Sequence, residues 1–347
     1  MATTPRSRKF VHLFIAATAF LVILVAGFLL YAFFWPNTFP ATTLPDAGDR
    51  YVFVSHGTTF HAIMDSLERG SIVRSRFLFH LTARIYGGTE RLHVGKYQFH
   101  SGMSNAEIFL SLREGRNNSL ITVTIPEGLR ARTQARLFAR ALGVDSARYM
   151  ALVNDHGFVR NSGFDGPNLE GFLLPETYRL VWGIDEKEVI EKQVGEFKQF
   201  FTDSLEARAR ELGWTVRQAV ILASIVEGEA VLDEERPTIA GVYHNRLRTG
   251  MKLEADPTLQ FIFGTGPRRV LYTDLRNPNP YNTYLYPGLP PGPVNNPGKA
   301  SILASLYPQQ HGYLYFVANT RGGHWFARTY EEHVQNVRKY RRARSRN

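Results

Sequence analysis

One acidic residue of this sequence is placed as a proton donor would be. Glu227 directly follows the apolar run 221–226, near the end of a predicted helix. Burial disfavours the charged form of a carboxyl group, and so does the negative end of the helix dipole. We therefore expect Glu227 to keep its proton near neutral pH, as a general acid must. The nearby acids Glu229 and Asp233–Glu235 are expected to be solvated, or to pair with Arg236.

Polar and aromatic side chains that suit a sugar follow further along the chain. Asp256 and Gln260 share a short predicted helix, and Tyr281-Asn-Thr-Tyr284 precedes a loop rich in proline and glycine. Aromatic rings beside amides and hydroxyls complement sugars, which have apolar faces rimmed by hydroxyl groups. A purely structural role for these residues stays open. Asp256 can cap a helix that starts at Pro257, and the tyrosines can pack the loop against the core. Glu170 either lines the binding cleft or braces the neighbouring loop. The candidate binding residues are Asp256, Gln260, Tyr281, Asn282, Thr283, Tyr284 and Glu170.

Several other chemistries lack the residues they need. The sequence contains no cysteine, which excludes thiolate nucleophiles, disulfides and cysteine-ligated zinc. Phosphate-binding loops, dinucleotide fingerprints and His-Glu-x-x-His motifs are also absent from it. The histidines are scattered, so we predict neither a metal nor a cofactor.

The basic charge of the chain is concentrated at its two ends. The formal net charge is +10, but nine of the 41 basic residues lie in residues 6–9 and 338–346. The remaining 32 nearly balance the 31 acidic residues. A broad basic face for nucleic acid is therefore not expected, and residues 338–347 are interpreted as a solvated basic tail.

An uncharged segment near the N-terminus is long enough to cross a membrane. Residues 13–35 contain no charged side chain and would form a helix of roughly 34 Å at ~1.5 Å per residue. Basic residues precede the segment, and only acidic ones occur in the stretch just after it. The positive-inside rule then places residues 1–12 in the cytoplasm and the rest outside. We favour a transmembrane helix over a cleaved signal peptide, whose apolar region would be shorter.

The remaining pattern predicts an α+β fold. Residues 36–50 read as a linker, and residues 51–116 as a small α+β subdomain in which Ser104 caps a helix that ends at Gly115. Residues 117–337 are expected to form a larger mixed α/β domain. The long helices predicted there span residues 186–211, 216–230 and 236–248, and a hairpin follows near the C-terminus, with its turn at Arg321-Gly-Gly.

Seven segments in this order resemble the endolytic murein transglycosylase family (the MltG, or YceG-like, family). They are Leu169-Glu-Gly-Phe-Leu-Leu-Pro-Glu-Thr-Tyr178, Ser224-Ile-Val-Glu-Gly-Glu229, Val242-Tyr-His-Asn-Arg-Leu247, Asp256-Pro-Thr258, Tyr281-Asn-Thr-Tyr284, Gly288-Leu-Pro-Pro-Gly-Pro293 and His324-Trp-Phe. Each segment by itself is weak evidence for the family. The ordered set is specific to the family and, with the N-terminal apolar segment, spans nearly the whole chain.

The resemblance implies an enzyme of the bacterial inner membrane that cuts peptidoglycan glycan strands internally. It implies that residues 51–116 are LysM-like, that residues 117–337 are the catalytic domain, and that Glu227 is the catalytic glutamate. It also suggests coupling to peptidoglycan synthases.

Such a lytic reaction needs one acid. Neutral Glu227 would protonate the oxygen that leaves C1 of N-acetylmuramic acid. Its carboxylate would then take the proton of the C6 hydroxyl, which attacks C1 and closes a 1,6-anhydro ring. Two alternatives stay open: a protein that binds peptidoglycan without cutting it, and a muramidase that delivers water.

Overall fold

The structure, a computed structural model, describes residues 5–38, 49–88, 92–264 and 268–344. The chain divides into two compact units. One contains Met1–Ile121 with Arg179–Ile184, and the other contains Thr122–Tyr178 with Asp185–Asn347. The predicted α+β class with a single N-terminal apolar helix is confirmed.

The first unit contains a long N-terminal helix, three shorter helices and a two-stranded sheet. Its elements are α1 (Pro5–Phe34), β1 (Asp49–Val54), α2 (Phe60–Arg69), α3 (Arg76–Ile85), β2 (Gly95–His100) and α4 (Asn105–Glu114). β1 and β2 pair antiparallel, from Asp49 opposite His100 to Val54 opposite Gly95. The core between sheet and helices is aromatic and aliphatic, with Phe79, Phe99 and Phe109 fully buried.

The ends of α4 are as the sequence predicted. Ser104 is the N-cap and forms a capping box with Glu107, so each side chain accepts from the other residue's backbone N–H. Gly115 ends the helix with φ of +71°, a left-handed conformation that glycine adopts without a steric penalty.

Helix α1 contains the apolar segment Phe10–Phe34, which is long and apolar enough to cross a membrane. Most of its side chains are exposed, but Ala32 and Phe33 near its end are buried. The carbonyl of Ala32 accepts a 2.7 Å hydrogen bond from Asn105 Nδ2. The end of α1 is therefore held against the start of α4.

The second unit is mainly helical. Its elements, with the two strands in which the chain passes between the units, are β3 (Leu120–Thr124), α5 (Ala131–Leu142), α6 (Ser146–Val153), α7 (His156–Asn161), β4 (Thr177–Val181), α8 (Glu186–Phe200), α9 (Asp203–Glu211), α10 (Val216–Glu229), α11 (Arg236–Arg248), α12 (Asp256–Phe263), α13 (Lys299–Leu306), β5 (Tyr315–Ala318), β6 (His324–Ala327) and α14 (Tyr330–Arg344). β3 pairs with β4, and β5 with β6 in the predicted antiparallel hairpin.

The predicted helix over residues 186–211 is wrong in one respect, because it is two helices. α8 ends at Phe200 and α9 begins at Asp203, with Thr202 as an extended N-cap residue. Acidic Asp203 favours a new helix N-terminus there. The break lets Phe197 of α8 and Leu205 of α9 enter the same hydrophobic cluster.

Helix α10 runs through the centre of the second unit. Every residue from 219 to 226 is buried. One side of the helix joins a cluster with Phe172 and Ile302, and the other joins a cluster with Tyr243 and Leu253. A helix that is apolar on all sides is typical of a protein interior. Packing on both sides of α10 therefore fixes the position of the residues at its C-terminal end, which include Glu227.

Candidate active site

Glu227 lies in the last turn of α10 and its side chain is only 6% exposed. Its Oε2 accepts a 3.0 Å hydrogen bond from the backbone N–H of Gly298, the N-cap residue of α13. The same oxygen lies 3.2 Å from Nη1 of Arg236. The predicted position beside the apolar helix face is confirmed, and the site also contains a cation that holds this carboxyl group.

Arg236, the first residue of α11, is a positively charged residue whose guanidinium is held in place by several contacts. Its side chain is nearly buried, and Nη1 also donates to the hydroxyl of Ser301. Nε donates to Asp233 Oδ1 at 3.0 Å, in the short 3-10 helix just before α11. A guanidinium held at several points is a rigid donor, so it orients Glu227.

A second acid, which the sequence reasoning missed, shares this arginine. Glu127 follows β3, and its Oε2 lies 3.9 Å from Arg236 Nη2. Burial, followed by the charge of Glu227, raises the pKa of Glu127, while the charge of Arg236 lowers it. The sequence contains one signal for it, Pro126-Glu-Gly128, in which an acid lies between a proline and a glycine.

Glycine at position 128 leaves room beside the catalytic candidate. Gly128 has φ of +72°, and a Cβ there would lie 3.4 Å from Cγ of Glu227 and 3.9 Å from its Oε1. Its N–H donates to the carbonyl of Asn296, which ties the loop after β3 to the loop before α13. The free oxygen of Glu227 thus faces backbone that carries no side chain.

Glu170 braces the loops around the site. Its Oε1 accepts from the backbone N–H of Ala131 at 2.9 Å and from Nδ2 of Asn296 at 2.7 Å. Asn296 Oδ1 in turn accepts from the N–H groups of Gly171 and Leu173. Burial raises the pKa of Glu170 to about 7, with these donors opposing the rise. Of the two roles expected for Glu170, the bracing contacts are the ones present.

Glu229 was expected to be solvated or to pair with Arg236, and both expectations are wrong. Its Oε1 accepts a 3.0 Å hydrogen bond from the Tyr243 hydroxyl, and the backbone N–H of Asp256 also donates to the carboxyl group. Burial, followed by the charge of Asp256, raises the pKa of Glu229 to about 7. The side chain turns towards α12 because residues two apart on a helix point in nearly opposite directions.

Asp256 does not cap α12 as expected. Ala255 is the N-cap residue, and Asp256 is the first helical residue. The carboxylate instead accepts a 2.6 Å hydrogen bond from the Tyr284 hydroxyl, so these two predicted binding residues do meet. Pro257 closes the junction with α10, because a Cβ on Gly228 would lie 2.6 Å from its Cγ.

The other predicted binding residues divide into buried and accessible ones. Asn282 and Thr283 are buried; Asn282 Nδ2 donates to two backbone carbonyls, and Thr283 Oγ1 accepts from the N–H of Ala255. Gln260 bonds the backbone of Arg268 through both ends of its amide. Tyr281 is partly exposed and packs on Phe261, with ring centroids 4.6 Å apart.

Comparisons with known proteins place this geometry in context. The sequence profile of the YceG-like family matches residues 52–339. A Bacillus subtilis (strain 168) protein named endolytic murein transglycosylase is 29% identical over 301 residues, 83% of this chain and 83% of that protein. A Streptococcus pneumoniae (serotype 2, strain D39) protein of the same name is 28% identical over 361 residues, 93% of this chain but 64% of that protein.

A solved structure is similar as well. The crystal structure of a YceG-like protein from Listeria monocytogenes covers 83% of this chain, and 98% of that chain is matched. The two are 28% identical in sequence, with a TM-score of 0.59.

Proposed function

The chain belongs to the YceG-like family, and we propose that it is an endolytic murein transglycosylase that cuts peptidoglycan glycan strands internally. The observation that carries the proposal is Glu227, a nearly buried carboxyl group held between Arg236 and the N–H of Gly298. Two relatives named for this activity support it. We further propose that the cut falls between N-acetylmuramic acid and N-acetylglucosamine of nascent strands, which limits strand length.

The proposed reaction uses proton transfer and an internal nucleophile. Glu227 protonates the glycosidic oxygen as the bond from C1 breaks, and the electron pair of that bond leaves with the oxygen. The C6 hydroxyl of the same sugar then attacks C1, and its proton passes to Glu227. The product end is a 1,6-anhydro ring, and the enzyme regains its proton. Because the nucleophile is already part of the sugar, its high effective concentration replaces a bound water.

The geometry around Glu227 supports this role. Arg236 and Gly298 both bind Oε2, so the orientation of the carboxyl group is fixed. Oε1 lies beside Gly128, where a side chain would crowd the carboxyl group. A general acid held in one orientation loses little entropy when the substrate binds.

For the sugar-binding shell, we assign two kinds of role. Asp256, Tyr281 and Tyr284 contact the sugar through accessible polar and aromatic surface. Asn282, Thr283, Gln260 and Glu170 hold the surrounding loops through the hydrogen bonds described above.

The apolar helix within α1 supports a membrane anchor. We propose a single-pass protein of the inner membrane, with residues 1–12 in the cytoplasm and the catalytic domain, residues 117–337, outside. Residues 51–116 would act as a LysM-like glycan-binding subdomain, and a peptidoglycan synthase would be the partner that supplies new strands.

Mass spectrometry of the products tests the proposed function. The full chain in detergent would be incubated with purified peptidoglycan, beside Glu227→Gln, which keeps the shape of the side chain but cannot donate a usable proton. We expect 1,6-anhydro-muramyl ends from the wild type and no products from the variant.

Other outcomes separate the alternatives. Reducing ends from the wild type would mean that water is the nucleophile and that the protein is a muramidase. Binding of glycan strands with no products from either protein would indicate a non-catalytic peptidoglycan-binding protein. Full activity in the variant would remove Glu227 from the mechanism.

A further inference from the structure

Three carboxyl groups converge on one guanidinium at the site. Arg236 lies 3.2 Å from Glu227, 3.0 Å from Asp233 and 3.9 Å from Glu127. Lys299, in the first turn of α13, forms an ion pair with a different acid, Glu176. If all three acids were ionised, the cluster around Arg236 would carry an excess negative charge.

Glu127 and Glu227 meet at the same backbone position. The N–H of Gly298 donates to Glu227, while a Cβ on this glycine would overlap the carboxyl group of Glu127, at 1.9 Å from its Oε1. Glycine is therefore required at position 298 if both acids are to occupy their observed places. Like charges this close favour retention of a proton by one of the two groups.

The two acids differ in their access to solvent. The side chain of Glu127 is 46% exposed, whereas that of Glu227 is 6% exposed. Glu127 can therefore exchange protons with water, while Glu227 is enclosed and ion-paired. The proposed reaction nevertheless requires a proton on Glu227 when the substrate is in place.

We propose that Glu127 is a positioning residue that shares one proton with Glu227 and transfers it to Glu227 for catalysis. This inference rests on the proposed function. In the transfer, the O–H bond of Glu127 breaks and an O–H bond forms on the carboxyl group of Glu227. The new Glu127 carboxylate then becomes the ion-pair partner of Arg236, whose Nη2 already faces it. Each lytic turnover returns a proton to Glu227, so the pair still holds one proton, which the two acids share again before the next cycle.

The surrounding charges agree with this assignment. Burial and the charge of Glu227 raise the pKa of Glu127, with smaller upward contributions from Asp233 and Glu176. Arg236 acts in the opposite direction. Partial burial and the acidic neighbours of Glu127 thus favour its protonated form.

The pH dependence of kcat tests the inference. Initial rates of the full chain on soluble glycan strands would be measured for the wild type and Glu127→Gln. Without the charge of Glu127, less repulsion keeps a proton on Glu227, so we expect the alkaline limb to move to lower pH by about one unit. At pH 7.5 the rate should therefore fall by up to about tenfold.

Glu206→Gln provides a matched control. Glu206 on α9 has a side-chain exposure of 48%, close to that of Glu127, and accepts a 2.9 Å hydrogen bond from Arg210. The same acid-to-amide change there should leave both the rate and the alkaline limb at their wild-type values.

Gly298→Ala tests the same pair without changing either acid. The new methyl group would displace the Glu127 carboxyl group while the N–H that binds Glu227 remains. We expect its alkaline limb to shift in the same direction as that of Glu127→Gln. This second variant decides the question if Glu127→Gln fails to fold, as judged by its melting temperature.

The outcomes separate this inference from the function on which it rests. An active wild type, with an unshifted alkaline limb in folded Glu127→Gln or, failing that, in Gly298→Ala, would overturn the shared proton alone. A wild type that cuts no glycan would overturn the proposed function, and this inference with it.

Discussion

Glu227 and Glu229 lie two residues apart at the end of α10, yet they are bound in different ways. Glu227 is paired with a charged group, Arg236 of α11. Glu229 accepts hydrogen bonds from neutral donors, the Tyr243 hydroxyl and the N–H of Asp256. A helix turns about 100° per residue, so the two side chains reach different neighbouring elements. The partner elements, more than the helix that carries an acid, therefore decide what the acid can do.

The rates of two matched variants give the strongest test of this contrast. Glu227→Gln should lower the rate of glycan cleavage by about 10²–10⁴-fold, the usual contribution of a general acid. Glu229→Gln should cost less than about tenfold, because an amide oxygen can still accept from Tyr243 and Asp256. Initial rates on the same glycan substrate measure both. Equal losses would mean that the two acids act as one catalytic unit.

The pH dependence of stability tests Glu229, the acid that accepts from neutral donors. The pKa of Glu229 is raised to about 7 from 4.5, so between those values the folded chain holds a proton that the unfolded chain has lost. The free energy of unfolding should therefore fall as pH rises through this window, by at most about 1.4 kcal/mol per unit from this group. Glu229→Gln should be relatively more stable at pH 8 than at pH 5.

Denaturant unfolding at several pH values measures this effect. The difference between wild type and Glu229→Gln isolates one group from the other titrating groups. Glu170, whose pKa is also raised to about 7 by burial, should show the same sign in Glu170→Gln. A difference that does not vary with pH would show that Glu229 is ionised in the folded protein throughout the window.

Gly228 separates the two acids and sets the distance between α10 and α12. A Cβ there would lie 2.6 Å from the rigid ring of Pro257. Although alanine favours helix by up to ~1 kcal/mol, the overlap should dominate, so Gly228→Ala should lose about 1–3 kcal/mol of unfolding free energy. As a control, Gly195 in α8 faces open space, so Gly195→Ala should stabilise the protein. A stable Gly228→Ala variant would show that the junction can relax.

The smallest expected effect concerns Tyr284, which binds Asp256 at the start of α12, the helix that Glu229 contacts. Tyr284→Phe removes the 2.6 Å hydrogen bond to Asp256 and should cost about 0.5–1.5 kcal/mol. If Tyr284 also contacts sugar, the KM for glycan should rise while kcat changes little. Tyr286→Phe is the control, since its hydroxyl makes a longer, exposed bond of 3.2 Å to Pro278. Unchanged stability and KM would leave Tyr284 without either role.

Local sequence patterns predicted many helices and strands closely. The helix over 236–248 has the predicted bounds, and α4 has the predicted caps at Ser104 and Gly115. The break at Thr202 was missed, although Thr-Asp resembles a helix start, because amphipathic periodicity continues across it. Whether one helix or two form there depends on the hydrophobic cluster around Phe197. The residues of that cluster are distant in sequence, so a local pattern cannot reveal it.

The candidate site was predicted in part. Glu227 was found because its signal, an acid at the end of an apolar run, lies within one helix. The predicted pairing of Arg236 with Asp233 is present, but Arg236 was not predicted as the partner of Glu227, and Glu127 was not among the candidate residues. Glu127 and Gly298 are 100 and 71 residues from Glu227 along the chain, so no spacing rule connects them.

The sequence by itself determined the apolar helix, the α+β class and the position of one acid on a buried helix, because caps, periodicity and composition act over a few residues. Only the tertiary structure decided which acids share Arg236, which one turns to Tyr243, and why a side chain at position 298 would displace Glu127. Those facts depend on packing between segments distant in sequence, and a carboxyl group takes its chemistry from whatever that packing brings within a few ångströms.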